Sequence, residues 1–348
     1  MDTERDRSPP LCGGKPRDPI NIPSTLTKDR SRAILAHKIK WANGTVLHYF
    51  FYEDDASVWT DAQKDIVRWA FETWKDIDIG LTFIETDDVT EAEVRIGFDQ
   101  EEGSWSWMGT DMLRNDDRGR NMNFGWDLRD DWGKSTALHE IGHLLGLDHG
   151  HLNPKAGLEW NEDKVIAHYA APPNSWDART TRYNVLRSLD PDEVEGSEWD
   201  PYSIMHYPIA PNLIRAPIAW RGGTPVNLTL SNQDKAWARR FYPPLDGIVE
   251  IGVLDMQPVA AESGSQSDFL FEPAATREYT VRLLGKSDSK IVIFVERNGV
   301  WRHFDAEDSS GVDQNTQITA KFVKGERYSI RVRVHYVEPQ TGIAVVIE

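Results

Sequence analysis

One cysteine, Cys12, is all that the 348 residues contain. No disulfide can form within the chain, and the redox compartment stays open. No apolar run approaches the roughly 20 residues that a bilayer-spanning helix needs. The opening residues Met1 to Arg7 are polar and no apolar h-region follows them, so no secretory signal is visible. Three readings remain: a signal already removed, another export route, or a protein that stays inside. Positive charge is scarce as well. Against 56 Asp and Glu stand 39 Lys and Arg, a net charge of −17. Nucleic acid and anionic membrane both require a basic face, so neither is an expected partner. Internal repeats and low-complexity tracts are absent.

What is present fits a globular protein of two domains. The length exceeds what one compact core usually holds. Apolar residues make up 39% and charged residues 27%, the balance of a soluble chain. Fourteen Trp point to large aromatic cores or aromatic-lined grooves. Two glycosylation sequons, at Asn43 and Asn227, would matter only in a eukaryotic secretory setting.

The chain is organised around His139-Glu140-Ile141-Gly142-His143-Leu144-Leu145-Gly146-Leu147-Asp148-His149, which reads H-E-x-x-H-x-x-G-x-x-H. His139 and His143 are four apart, so on a helix both rings share one face and can converge on one small metal ion. Glu140 is placed to act on a water at that ion without binding it. Gly146 lets the chain leave the helix in a left-handed turn that a Cβ resists, and the turn returns His149 to the other two. Three neutral imidazoles and one open position are how catalytic zinc is usually held. A lone H-E-x-x-H can be an ordinary amphipathic helix with satisfied core histidines. The longer pattern fixes five functional positions at once and favours a single catalytic zinc ion. A closed structural zinc site is the competing reading, with His151 near enough in sequence to complete it.

Around that motif the patterning is mixed. Residues 1–40 are rich in Pro, Gly, Arg and Asp and read as an irregular arm. Cys12 lies in it; an incidental surface thiol is the default reading, and a plug for the open metal position is the alternative. Residues 39–52 alternate as a strand. Thr60 or Asp61 can cap a helix whose stripe is Val67, Ala70, Trp74 and Ile77. Residues 81–85, 93–98 and 121–126 read as further strands, and the metal helix is expected from about Ser135. The 103–113 segment, ahead of that helix, is the expected sheet edge for an extended peptide. Asn161 can cap a short helix through Tyr169. Residues 171–200 show no clear period; with the residues after Tyr207 they are expected to shape the specificity pocket. Ser231 and Asp234 form a capping box for a helix through Phe241. Residues 248–348 then carry strand-like runs at 277–284, 290–296, 316–322 and 328–336, which read as an all-β sandwich.

The zinc motif and the downstream Ser203-Ile204-Met205-His206-Tyr207 together closely resemble the metzincin metallopeptidases, and the S-x-M-H-Y form is most similar to their astacin-like branch. The resemblance covers about residues 39–244. It departs at Gly150, where astacins have glutamate after the third histidine. It implies an α/β (α+β) catalytic domain over 41–245, with a mixed sheet and an active-site helix. It implies zinc on His139, His143 and His149, and Glu140 as general base and then acid. Met205 would form the floor under the metal; Tyr207 would bind zinc at rest and hydrogen-bond the tetrahedral intermediate, its plainer reading being a buried aromatic. His206 reads as a structural histidine. The arm faintly resembles the Cys-Gly-x-Pro switch of matrixin propeptides, with Leu11 where that motif has arginine and Pro16 displaced. Residues 248–348 resemble pre-peptidase C-terminal domains, which implies attachment to a surface or substrate, or plain stabilisation. The expected function is a secreted, monomeric zinc endopeptidase acting on proteins or peptides. The rival is a catalytically silent metzincin that binds a surface protein or glycan.

Overall fold

The structure, a computed structural model, describes residues 10–13, 39–41, 43–53, 61–114, 119–191, 198–244, 248–262, 264–309, 316–337 and 342–348. The first strand, β1 (Val46–Phe51), buries Leu47, Tyr49 and Phe51 and leaves the alternate residues half-buried, the period-2 pattern of a sheet covered on one side. The first helix, α1 (Asp61–Lys75), buries Val67, Ala70, Phe71 and Trp74. Ile77 follows its end and packs on the same core. Of the two proposed caps, Thr60 lies outside the described residues and Asp61 is the first helical residue.

Strands β2 (Thr82–Glu85), β3 (Val94–Gly97), β4 (Trp105–Ser106) and β5 (Met122–Asn123) complete a five-stranded sheet in the order β2-β1-β3-β5-β4. All neighbours are parallel except β4, which runs antiparallel to β5 at the edge. The expected edge at 103–113 is therefore a strand of two residues followed by a 3-10 turn over Gly109–Arg114. The expected strand at 121–126 is likewise only two residues long.

Helix α2 (Asp131–Leu144) carries the metal motif. It starts four residues earlier than expected, because Asp130 caps it by accepting from Gly133 N at 2.7 Å. From Ser135 to Leu145 every residue is buried, so the body of the helix shows no polar face from which a period could be traced back to its first turn. It packs against α1, where the Trp74 indole donates to Leu138 O at 2.9 Å. At its end Gly146 adopts φ 84°. Gly146 N donates to His143 O at 2.8 Å and Leu147 N to Gly142 O at 3.0 Å, the bond pair of a Schellman cap.

Beyond the motif, β6 (Glu159–Trp160) pairs with the later β7 (Ile214–Ala216), and α3 (Glu162–Ala170) lies between them in sequence. Asn161 precedes α3 without a side-chain capping bond. The 171–200 connection is more ordered than expected: α4 (Ala178–Thr181), capped by Asp177, runs into a π-helical turn over Arg182–Leu186. Helix α5 (Asn232–Phe241) closes this part of the chain with the expected Ser231–Asp234 capping box intact.

Among the described residues, the regular structure of the remaining chain is all strand. One sheet holds β8 (Val249–Glu250), β10 (Gln266–Phe271), β12 (Ser287–Arg297), β13 (Val300–Ser309) and β15 (Tyr328–Val337); the other holds β9 (Met256–Val259), β11 (Arg277–Leu284), β14 (Gln317–Phe322) and β16 (Ile343–Ile347). The expected four runs appear, and five more strands were too short or too polar to show a period. The β12–β13 hairpin turns at Asn298 and Gly299, with φ 54° and 77°, as a type I′ turn requires. Ile293, Ile330 and Val332 of the first sheet meet Val281, Phe322 and Val345 of the second in one core.

This β unit is joined to the first by buried polar contacts. Asn43 N donates to Gln266 Oε1 at 2.6 Å. Arg333 donates through Nη1 to Trp41 O and through Nη2 to Phe241 O. Gly44 leaves room for the Arg331 guanidinium, which a Cβ there would meet at 2.4 Å. Asn43 Nδ2 donates to Pro243 O, and Asn227 Nδ2 to Pro201 O and Ser203 O. Both sequon amides are thus committed to folding and are poorly placed for a glycan. Among the described residues no helix is long and apolar enough to cross a membrane.

Candidate metal centre

The backbone around α2 orients two of the three imidazoles. His139 Nδ1 donates to Ile204 O at 2.8 Å and His143 Nδ1 to Leu147 O at 2.8 Å. Each bond fixes the tautomer and turns the Nε2 lone pair inward. His149 arrives through the Gly146 turn, its Nε2 3.1 Å from that of His143. Burial pushes the His139 pKa down to about 3 and holds His149 well below the imidazole range, with like-charge pressure from His143 adding to both. Neutral imidazoles are the form that binds a metal.

The fourth donor is the cysteine. Cys12 Sγ lies 3.3 Å from His139 Nε2, 3.6 Å from His143 Nε2 and 3.1 Å from His149 Nε2. The four donor atoms fall within 4.8 Å of one another and all four residues are buried. The default reading of Cys12 as a surface thiol is overturned, since it is 5% exposed. The arm enters the cleft because three contacts hold it besides the thiol. Gly13 N donates to Ser104 O at 3.0 Å, beside β4. Tyr207 OH donates to Cys12 O at 2.5 Å. Leu11 N donates to Asn174 Oδ1 at 2.9 Å.

Glu140 is wholly buried, and neither oxygen makes a hydrogen bond among the described residues. Burial pushes its carboxyl well above the usual range, offset only in part by the Cys12 thiol. Burial likewise raises Cys12 well above the usual thiol value, with Glu140 adding to it. Burial thus favours the uncharged forms of the four donors, the thiol and the three rings. A divalent cation among them inverts that ordering. The donor set therefore fits such an ion: one sulfur and three nitrogens suit zinc.

The other expected residues lie around the donor group. The Met205 sulfur lies against Gly142 of α2, where a Cβ would meet it at 2.3 Å. Tyr207 is buried against the His149 ring, centroids 4.4 Å apart, and burial holds its hydroxyl well above its usual pKa. His206 is structural: Nδ1 donates to Tyr207 O at 2.7 Å, and burial lowers its pKa to about 4. His151 stays outside the donor group, with Nε2 donating to Asn184 O at 2.8 Å. Gly150 N donates to Met205 O at 2.9 Å, so the residue at which the resemblance to astacins departs lies directly beside Met205.

Sequence reasoning missed Asp234. Its carboxylate accepts from Ser203 Oγ at 2.5 Å, Ile204 N at 2.8 Å and Ser231 N at 2.8 Å. It thus ties α5 to the segment whose carbonyl orients His139. The capping box was legible, but its second set of partners lies about thirty residues upstream. Asn174 and the Leu147 carbonyl gave no signal at all.

The structural comparison bears on this centre. A structure of myroilysin is 31% identical over 60% of this chain and 97% of its own, with a TM-score of 0.53. The chain belongs to the metallopeptidase family that includes myroilysin. A second myroilysin structure is 30% identical over 59% of this chain and 86% of its own, with a TM-score of 0.44, and no argument rests on it. Myroilysin is a protease and this homology supports a peptidase here. The pre-peptidase C-terminal domain of a collagenase from Bacillus anthracis overlaps 29% of the chain at 11% identity and a TM-score of 0.22, and no argument rests on it. No protein-family model matches the chain and no curated protein matches it.

Proposed function

We propose that this chain is a zinc-dependent endopeptidase of the astacin-like metzincin branch, held latent by its own Cys12. The observation that carries the reading is Glu140: a buried carboxylate with no hydrogen-bond partner among the described residues, next to three converging imidazole nitrogens. His139, His143 and His149 would hold the zinc, and Cys12 would fill the position that substrate and water need. When bound, the ion polarises a peptide carbonyl and makes a water acidic enough to react at neutral pH.

The rest of the chemistry belongs to the chain. Glu140 accepts the proton of the attacking water on a carboxylate oxygen and delivers it to the departing amine nitrogen. The Tyr207 hydroxyl, freed when the arm leaves, donates to the developing oxyanion as it now donates to Cys12 O. Met205 under α2 and Asp234 behind Ile204 keep the ligands from drifting. Residues 1–40 act as the pro-segment, 41–245 as the peptidase domain and 248–348 as a β-sandwich accessory domain. The protein works as a secreted monomer on protein substrates.

The silent-metzincin reading is disfavoured by an intact Glu140. The closed structural-zinc reading gains a fourth donor in Cys12. Against it, that donor brings an aligned peptide segment with it, as an inhibitor would. Casein digestion with and without a chelator, with zinc measured on the same sample, tests the proposal. The chain as it stands should hold one zinc and cleave slowly; modification of Cys12 by a mercurial should raise the rate. Glu140→Ala should keep the metal and lose about 10²–10⁴-fold or more in rate. Full activity in that variant would sink the assignment of Glu140. Unchanged zinc in His143→Ala would sink the ligand set.

A further inference from the structure

The arm does more than present a thiol; it lies in the cleft as a peptide. Its main chain touches the peptidase unit at three points on successive residues: Gly13 N on Ser104 O, Cys12 O on the Tyr207 hydroxyl, and Leu11 N on Asn174 Oδ1. Between the last two, the Leu11 side chain is 7% exposed. It joins an apolar cluster with Val165, Val185, Ile209 and Leu213, against which Trp132 packs. It also borders the cavity that runs from the Glu140 carboxylate past Thr136 and Pro208. Among the described residues no Lys or Arg lines that cavity, so an acidic side chain buried there would be desolvated at high cost.

We propose that this is the specificity subsite of the enzyme. The apolar pocket takes a side chain of leucine size from a residue flanking the scissile bond, and Asn174 Oδ1 accepts that residue's backbone N–H. The inference rests on the peptidase reading of the same centre. Asn174 suits the task. It is half-buried in the 171–177 loop that follows α3, and its side-chain carbonyl already accepts from the Leu11 amide. Leu11 thereby acts as a template: an inhibitor segment that occupies a pocket reports the shape the pocket accepts. A pocket of this kind separates leucine from alanine by about ten-fold or more, the value of a few buried methylenes.

The test uses the full-length chain carrying Leu11→Asp and Cys12→Ala, which removes both anchors of the arm. Cleavage of a randomised peptide library should enrich Leu, Met and Phe at one position flanking the cut. Enrichment of Asp, Glu, Lys or Arg there, or no preference, would overturn the proposal. Adding Asn174→Ala should raise KM for a leucine-containing peptide by about 2- to 12-fold, the span of one hydrogen bond, with kcat changed little. Asn174→Asp, which keeps an acceptor oxygen, should restore KM. A fall in kcat alone, or no change in either constant, would count against Asn174. If the background variant cleaves nothing, the peptidase reading is what fails. Calorimetry with acetyl-Pro-Leu-Ala-Gly-amide then decides the subsite: binding weakened by Asn174→Ala and by Leu→Glu in the peptide supports it, and equal binding throughout overturns it.

Discussion

At Gly142 the missing side chain is a requirement of the centre. A Cβ there would meet the Met205 sulfur at 2.3 Å, so α2 and Met205 touch backbone to side chain. Gly142→Ala should cost about 1–3 kcal/mol, as overpacking does, and should weaken metal retention because Met205 beside the donor group must shift. At Gly150 the nearest atom to a Cβ is His206 Cβ at 3.3 Å, and Gly150→Ala should cost clearly less. Thermal unfolding of the two variants with zinc bound checks the order; equal costs would contradict it. Asp234 is the other sensitive residue. Two of its three acceptor bonds are buried and the third is partly so, and each bond to a charged group is worth about 1.5–3 kcal/mol. Asp234→Ala should therefore lower urea stability and also speed zinc loss to a chelator, since Ile204 O orients His139.

Among the elements, α2 depends on how it ends. The Schellman bonds and the φ of 84° at Gly146 aim the chain so that Leu147 O meets His143 and His149 returns to the site. Gly146→Ala places a Cβ in a left-handed conformation at about 1–2 kcal/mol and should reduce zinc affinity along with stability. The other end-of-helix support comes from outside. The Trp41 indole donates to Leu144 O at 2.8 Å, and Tyr242 OH donates to Leu145 O at 2.9 Å. Trp41→Phe keeps most of the apolar contact and leaves that carbonyl unmatched. It should cost about 0.5–1.5 kcal/mol, read by urea unfolding. A neutral result would mean that the carbonyl finds another donor.

Across the molecule, the β unit is tied to the metal helix through Arg333, Trp41 O, the Trp41 indole and Leu144 O. Its role thus includes holding the start of the peptidase fold, whatever else it attaches to. The same interface carries a pH dependence. Burial raises Asp268 to about 6, against the opposing pull of Arg331 3.7 Å away and a hydrogen bond from Gln266. In the unfolded chain an aspartate ionises near 3.9. Between those values the folded protein binds more protons, so this group's contribution to stability falls as pH rises from about 4 to about 6. Asp99 and Asp127, whose pKa values are lowered chiefly by bonds from the Glu101 amide and the Arg129 side chain respectively, act in the opposite sense. Asp268→Asn should flatten the fall, as measured by urea unfolding of both proteins at pH 4 and 7. Identical pH dependence in the two would refute the assignment.

The local patterns were decided by the sequence itself. The spacing of His139, Glu140 and His143, the glycine that ends their helix and the Ser231–Asp234 box each act within one or two helical turns, where backbone geometry alone sets who faces whom. The alternation in β1 and the long strands of the β unit were legible for the same reason. Three things were settled only by the tertiary structure. The start of α2 was hidden because the buried run from Ser135 onward has no polar face to give a period that extends back to Asp131. The short strands β4 and β5 were hidden because two residues cannot show an alternation. Cys12 stands 127 residues from His139 in sequence, and no local rule links an irregular arm to a buried nitrogen. That link needed Leu11 in its pocket, Asn174 and Ser104 on the main chain, and the Tyr207 hydroxyl on the Cys12 carbonyl, contacts that exist only once distant segments have packed.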